Sequence, residues 1–336
     1  MKLRLVLIWL LCFASFGTWA ALIRVTDTDS LTLALNKAQA GDTLVLATGV
    51  YEGSFKVTQS ISLKGEIGAT LDALRQGSAL VIEAPQVSIE GLNIRHWGRD
   101  LYYRDAAILL KKGADNVLIK GNRLVGEGFG IYGEQLNSPT ISDNSISGNG
   151  AIHVLDRGDG IYLKHVNSPQ IDRNQLIFVR DGVYLESVTH SRIYENQFTK
   201  LQYGIHYMYT QADEAWQNQA IAVDGGYALM NSTHIYLHHN SVTQARDFGI
   251  LLNITEASHV QANVASQIHN PKGTVELGNE GKGIFIYAAQ HNRIQDNEFS
   301  HSDTGISMAM GGEQNRLWHN RIMANQTQVK YVGDTF

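Results

Sequence analysis

The segment GVYLESVTHSRIYENQFTKLQY, residues 182–203, is one copy of a repeat of about 22 residues that runs through most of the chain. A glycine followed by an apolar residue opens successive copies at Gly130, Gly160, Gly182, Gly204, Gly226, Gly249, Gly283 and Gly305. A series of asparagines keeps nearly the same spacing, at Asn122, Asn144, Asn174, Asn196, Asn218, Asn240, Asn263, Asn297 and Asn320. Both series are lengthened at the same two places, which indicates loops near Gly148–Arg157 and Gln267–Glu280. A fixed period of this kind predicts a solenoid.

Short alternating stretches within each copy predict the fold class. They have the period of two that is typical of half-buried strands. We expect glycine and asparagine to occupy the sharp turns between strands, because both tolerate left-handed backbone angles. With three strands to a copy and no helical period inside it, the chain is predicted to be all-β, a right-handed parallel β-helix with rungs about 4.8 Å apart. Ile161, Val183, Ile205 and Ile250 should then share one interior stack.

The first twenty residues are predicted to be a signal peptide. Lys2 and Arg4 precede the apolar run from Leu5 to Phe16, and small residues lead to a cleavage site after Ala20. The run is too short to span a bilayer, so we expect a mature periplasmic protein that starts at about Ala21.

The rest of the chain, residues 21–336, is expected to form a single β-helix domain, because the repeat is continuous. Leu31, Leu35 and Ala38 lie at helical spacing behind a serine that could cap a helix. A helix over residues 30–40 is therefore predicted to cover the N-terminal end of the β-helix.

Composition narrows the possible functions of the mature chain. The sole cysteine, Cys12, lies in the signal peptide, so disulfides and thiolate metal sites are excluded from the mature protein. Removing Lys2 and Arg4 takes the formal charge from −5 to −7. An acidic chain of this kind gives no reason to expect nucleic acid as a partner.

Aligning the rungs on their glycines maps the predicted surface. If the residue after each glycine points inward, the second and fourth residues after it point outward. This places Met208 and Met230 on adjacent rungs, with His206 two residues before Met208 on the same face. Thioether and imidazole together suit Cu(I), whereas zinc or magnesium favours thiolate, more imidazole or carboxylate. The three residues are a candidate site for Cu(I), and an adaptable hydrophobic contact surface is the alternative interpretation.

A second group of residues favours a different function. Asp159 and Asp181 precede the glycine on consecutive rungs, accompanied by Arg180 and Tyr184. Stacked carboxylates beside arginine and tyrosine are what a polyuronate lyase or C5-epimerase would use, with the arginine neutralising a uronate and a neighbour moving the proton. A purely structural role is the alternative, because aspartate before glycine often begins a turn.

Several segments after residue 180 resemble the NosD family, the periplasmic β-helix proteins required for maturation of nitrous oxide reductase. They are Leu201–Thr210, Gly226–Met230, Arg246–Asn253, Phe285–Tyr287 and, most specifically, Thr327-Gln-Val-Lys-Tyr-Val-Gly333. Members of that family continue well beyond the last of these motifs, so the C-terminal cap of the β-helix is expected to be missing from this chain.

The resemblance implies a non-enzymatic role. It implies an accessory protein of an ABC transporter, with permease and ATPase subunits as partners, that helps to supply copper to the copper centre of nitrous oxide reductase. A copper chaperone would act upstream. Transient binding of Cu(I) at His206, Met208 and Met230 would suit that role, although the resemblance does not assign a function to each residue.

Overall fold

The computed structural model describes residues 20–273 and 278–333, and within them the chain forms three long parallel sheets. The predicted signal peptide lies outside the described residues except for its last position. Each rung contributes one strand to sheet A, then one to sheet B, then one to sheet C. The predicted parallel β-helix is therefore confirmed.

The strands of the described residues are short and follow one another at regular intervals. Sheet A contains Leu22–Val25, Thr43–Leu46, Ser62–Gly65, Ser88–Glu90, Leu118–Lys120, Thr140–Ser142, Gln170–Asp172, Arg192–Tyr194, Glu214–Trp216, Tyr236–His238, His259–Gln261, Arg293–Gln295 and Arg316–Trp318. Sheet B contains Gly49–Glu52, Ala69–Asp72, Asn93–Arg95, Arg123–Val125, Ser145–Ser147, Gln175–Ile177, Gln197–Thr199, Gln219–Ile221, Ser241–Thr243, Val264–Ser266, Glu298–Ser300 and Arg321–Met323. Sheet C contains Phe55–Val57, Leu80–Ile82, Ala106–Leu110, Phe129–Glu134, Ile161–Lys164, Val183–Glu186, Tyr203–Met208, Gly225–Met230, Phe248–Asn253, Lys282–Tyr287, Thr304–Ala309 and Thr327–Val332.

The core is a set of apolar columns that run along the β-helix. In sheet C, Ile161, Val183 and Ile205 are directly paired on successive rungs, and Tyr227 and Ile250 continue the column. All five side chains are fully buried. The predicted interior stack is confirmed, because side chains that alternate along each strand place every second residue inside.

The glycines that open the repeat have a different role from the predicted one. Gly182 does not adopt a left-handed backbone conformation. A Cβ atom at this position would lie 2.4 Å from Cδ1 of Phe198 and 2.6 Å from the carbonyl oxygen of Gly204 on the next rung. The prediction that these glycines serve as left-handed turn residues was wrong: glycine is needed here because the neighbouring rung approaches too closely for a side chain.

The asparagines also differ from the prediction, because they form a buried ladder inside the turn between sheets A and B. Asn196 donates from its backbone N–H and from Nδ2 to Oδ1 of Asn218, each at 3.0 Å. Asn218 repeats both contacts with Asn240 on the next rung. The left-handed residue is the one before each asparagine, for example Glu195 and Gln217, at φ 57° and 55°. The ladder thus supplies partners for turn groups that are shielded from water.

Loop length varies most at one corner of the cross-section. From Leu118 onward, two residues join each strand of sheet A to the following strand of sheet B. The connections from sheet B to sheet C range from two residues, after Glu52, to the long loops after Ser147 and Ser266. Both predicted loops therefore lie at this corner, and the first contains a short 3-10 helix, Val154–Asp156.

The capping helix spans Thr28–Lys37 rather than residues 30–40. Asp27 is the N-cap and accepts a hydrogen bond from the backbone of Ser30, whose hydroxyl in turn accepts one from the backbone of Asp27. Ser30 is therefore the third helical residue, in a reciprocal capping box, and not the cap. Leu31 and Leu35 are buried against the core as predicted.

Candidate functional site

The outer face of sheet C carries the candidate residues in the predicted columns. His206 is paired with Tyr184 on the preceding rung, and Met208 is paired with Met230 on the following one. The side chains of both methionines are half-buried. The structure therefore places His206, Met208 and Met230 on one face, because the strands Tyr203–Met208 and Gly225–Met230 pair in register.

A row of aromatic side chains surrounds this position. The rings of Tyr162 and Tyr184 lie 4.7 Å apart, and the rings of Tyr184 and His206 lie 4.6 Å apart. Tyr203 contacts His206 at 5.3 Å and Phe248 at the same distance on the other side. Burial raises the pKa of Tyr184 to about 12, with the nearby carboxylate of Glu186 adding to the effect. These phenols remain protonated near neutral pH and form a low-dielectric wall around the histidine.

The first of the two candidate carboxylates is enclosed. Asp159 is fully buried and accepts two hydrogen bonds from Arg180, at 2.9 and 2.6 Å. It also accepts from the backbone N–H of Asp181 at 3.0 Å. Burial raises the pKa of Asp159 to about 6, and the charge of Asp181 adds to the rise while Arg180 opposes it. Asp159 is thus a charged partner for Arg180 at neutral pH, without an open face toward solvent.

The second carboxylate, Asp181, contacts the histidine. Its Oδ2 atom lies 2.9 Å from Nδ1 of His206, and its Oδ1 atom accepts from the backbone N–H of Tyr203 at 3.2 Å. A carboxylate that accepts from Nδ1–H leaves the lone pair of a neutral imidazole on Nε2. Nε2 of His206 is buried and makes no hydrogen bond. This carboxylate–histidine arrangement is the one that orients metal-binding histidines in proteins.

From the sequence, the carboxylates and the soft residues are alternative sites, whereas the structure joins them. Arg180 and the backbone N–H of Asp181 both donate hydrogen bonds to Asp159. The carboxylate of Asp181 in turn contacts Nδ1 of His206. Tyr184, the remaining residue of the acidic group, packs against the ring of His206. Tyr203 was missed as a neighbour of the site, although its place directly before a repeat glycine could have identified it.

The donor set fits a soft monovalent ion better than a hard or divalent one. One neutral imidazole nitrogen and two thioether sulfurs supply no negative charge, and such ligands are typical of Cu(I). Residues 20–273 and 278–333 contain no group of three or more His, Cys, Asp or Glu side chains arranged around a metal position. The same ranges contain no helix long and apolar enough to cross a membrane.

Comparison with known proteins gives the family. The family model described as periplasmic copper-binding protein (NosD) matches residues 142–335. The probable ABC transporter binding protein NosD of Pseudomonas aeruginosa strain PAO1 is 35% identical over 289 residues, which are 85% of this chain and 68% of that protein. The chain belongs to the NosD family. The protein of the same name from Stutzerimonas stutzeri is also 35% identical, over 85% of this chain and 66% of its own length.

This NosD chain therefore spans about two thirds of the length of the curated relatives it matches. The family description names copper and the periplasm, and the relatives carry the name probable ABC transporter binding protein. The matched range includes His206, Met208 and Met230.

Solved structures similar to this NosD chain share its fold. The Dettilon tailspike protein aligns with a TM-score of 0.69 at 14% identity, over 91% of this chain and 64% of its own. An exopolygalacturonase from Thermotoga maritima aligns at 0.64 and 11%, over 91% and 92%. The mannuronan C-5 epimerase AlgE6 A-module of Azotobacter vinelandii aligns at 0.59 and 11%, over 92% and 95%. At such low identity these likenesses show the β-helix and do not transfer an activity.

Proposed function

We propose that this NosD chain is a non-enzymatic periplasmic accessory protein of an ABC transporter, and that it binds Cu(I) transiently for assembly of the copper centre of nitrous oxide reductase. The observation that carries the copper part of the proposal is the unpartnered, buried Nε2 atom of His206, held in place through Asp181 on a sheet face that also carries two paired methionines. The family description and the names of the relatives support the wider setting.

In this proposal copper is cargo and the site is built to release it. His206 supplies a preoriented nitrogen, while Met208 and Met230 supply flexible thioethers from adjacent rungs. Neutral donors bind Cu(I) without the strong charge attraction of thiolates, and a three-donor site leaves room for an incoming ligand. This incomplete coordination would allow the site to receive copper from a copper chaperone and to pass it to the reductase.

A buried apolar cluster lies next to one of the methionines. Ala228, Phe248 and Leu251 form an apolar cluster on the outer face of sheet C, and Met230 packs against it. Ala228, Phe248 and Leu251 are themselves buried, so the cluster supports Met230 from one side and is not an exposed docking surface. The permease and ATPase subunits are proposed as further partners, on the strength of the relatives' names alone.

The double substitution Met208→Leu with Met230→Leu tests the site. We expect Cu(I) affinity to fall at least tenfold in an anaerobic competition with a chromogenic chelator, because leucine retains the volume and loses the sulfur. Each substitution should change the free energy of unfolding by less than about 1.5 kcal/mol. Met308→Leu is the matched control, because Met308 packs against the interior core and should leave copper binding unchanged.

Equal Cu(I) affinity in the double leucine variant and the parent would show that these methionines form a contact surface and not a site. Loading of nitrous oxide reductase in cells tests the wider proposal separately. We expect the double variant to lower the copper content of the reductase when the parent supports it, and an unchanged copper content would contradict delivery through this site.

The alternative, a polyuronate lyase or C5-epimerase, makes a different prediction. Asp159 is fully buried against Arg180, and both oxygens of Asp181 accept hydrogen bonds within the protein, so neither carboxylate is free to move a proton on a polymer. With alginate or pectate we expect no ultraviolet-absorbing unsaturated product and no incorporation of deuterium from heavy water. Turnover that is abolished by Asp181→Asn would reverse this conclusion.

A further inference from the structure

Two adjacent histidines on sheet A present nitrogen atoms to each other, away from the copper patch on sheet C. Nδ1 of His238 lies 2.9 Å from Nδ1 of His239, and the two rings are nearly perpendicular, at 87°. His238 ends the strand Tyr236–His238, and His239 occupies the turn that follows. Neither histidine belongs to the copper site proposed above.

The neighbours of His238 determine which of its nitrogens is free. Nε2 of His238 lies 3.1 Å from Oε1 of Glu214 on the preceding rung. Because a carboxylate accepts hydrogen bonds, Nε2 carries the proton and donates it, and Nδ1 of the neutral ring keeps its lone pair. The present contact between the histidines is then a hydrogen bond from Nδ1–H of His239 to that lone pair. Glu214 orients His238 as a carboxylate orients a metal-binding histidine.

The backbone holds both residues in place. His239 adopts a left-handed conformation at φ 55°, and its N–H donates to the carbonyl of Gln261 on the next rung at 3.1 Å. Asn240, a member of the buried ladder, donates from Nδ2 to the carbonyl of His238 at 2.9 Å. The ring of Tyr236 stacks on His238 with 4.1 Å between centroids. Because both residues are already fixed, binding a ligand would cost this pair little conformational entropy.

We propose that the Nδ1 atoms of His238 and His239 form a second metal site, a two-coordinate site for a soft monovalent d10 ion such as Cu(I). Two imidazole nitrogens on opposite sides of one ion are a stable arrangement for such ions, whereas zinc requires about four ligands. Bonds of about 2 Å to each nitrogen separate the two atoms by about 4 Å, so the rings open by about 1 Å. The proton of His239 moves from Nδ1 to Nε2, and no net proton is released.

Trp216 supplies an internal reporter for this site and not for the methionine site. Its indole ring is parallel to the ring of His238, with the centroids 5.9 Å apart. A heavy ion bound at His238 should therefore quench Trp216 fluorescence. Silver ion in chloride-free buffer is a suitable probe, because it has the charge and the two-coordinate preference of Cu(I) and does not change oxidation state in air.

The test compares His239→Asn with His234→Asn. Asparagine tolerates the left-handed conformation of both positions, and His234 is also exposed, at φ 57°. We expect His239→Asn to weaken silver-dependent quenching of Trp216 at least tenfold, and His234→Asn and the Met208→Leu, Met230→Leu variant to quench like the parent. A Trp216→Phe variant should lose the signal and retain the bound ion in equilibrium dialysis.

Parent-like quenching in a folded His239→Asn variant would overturn the proposal, and so would absence of quenching in the parent. In either case the 2.9 Å contact is a hydrogen bond and nothing more. Neither result bears on the copper patch, because the proposal for His206 and the methionines is tested by its own pair of variants.

Discussion

Replacing Asn218 with alanine is expected to lower the free energy of unfolding by about 3 kcal/mol. Oδ1 of Asn218 accepts from the backbone N–H and the side chain of Asn196, and Nδ2 donates to the carbonyl of Ile193. All these groups are buried within the turn. Truncation therefore leaves at least the backbone N–H of Asn196 unpaired in the interior.

Urea denaturation followed by circular dichroism measures this effect, with Gln219→Ala as the matched control. Gln219 lies one residue further along the chain and is exposed, so its truncation should change the free energy of unfolding by about 0.5 kcal/mol or less. If Asn218→Ala is as stable as Gln219→Ala, the asparagine ladder is a consequence of the turn geometry and does not stabilise the turn.

The substitution Gly182→Ala is expected to destabilise the protein by a similar amount, about 3 kcal/mol, through crowding. The added Cβ would lie 2.4 Å from Phe198, whose side chain is fully buried, and 2.6 Å from the carbonyl oxygen of Gly204. A carbonyl in a sheet ladder and a ring packed on all sides have little freedom to move. Two rungs would therefore have to separate locally.

Gly121 provides the contrast for this prediction. It has φ of 65° and nothing within 4 Å of a Cβ atom, and later rungs place Asp143, Arg173 and Glu195 at the same turn position. Gly121→Asn should therefore unfold within about 1 kcal/mol of the parent, because asparagine tolerates this conformation. A loss for Gly182→Ala that is no larger than the loss for Gly121→Asn would show that the neighbouring rung moves aside for the added Cβ.

The regular part of the fold could be predicted from the sequence, because a strict period fixes register. Once Ile161 and Val183 are aligned, every other residue of those rungs has a determined side and a determined neighbour. The role of the repeat glycines was not predictable in this way. Both a left-handed turn and a close approach between rungs select glycine, and the sequence alone does not distinguish a restraint on φ from a lack of space.

The sequence predicts which residues of the site lie on the same face, but not which side chains contact each other. Met208 and Met230 meet through the register itself. The contact between Asp181 and His206 is diagonal, between residues that occupy different columns of adjacent rungs. A column map gives no sign that these side chains meet, because it fixes Cα positions and leaves out the direction in which a long side chain leans.

The contrast between a fixed corner and a variable corner has a consequence for how this molecule can change over generations. From Leu118 onward, a strand of sheet A is always two residues from the next strand, and the asparagine ladder runs through that bend. An inserted or deleted residue there would misalign a whole column of amides. At the junction of sheets B and C, a spacing of three residues and one of fifteen, after Ser266, are both compatible with the same coil. Insertions and deletions are thus expected mainly along this edge of the molecule, and a foreign peptide grafted into the protein should be tolerated there.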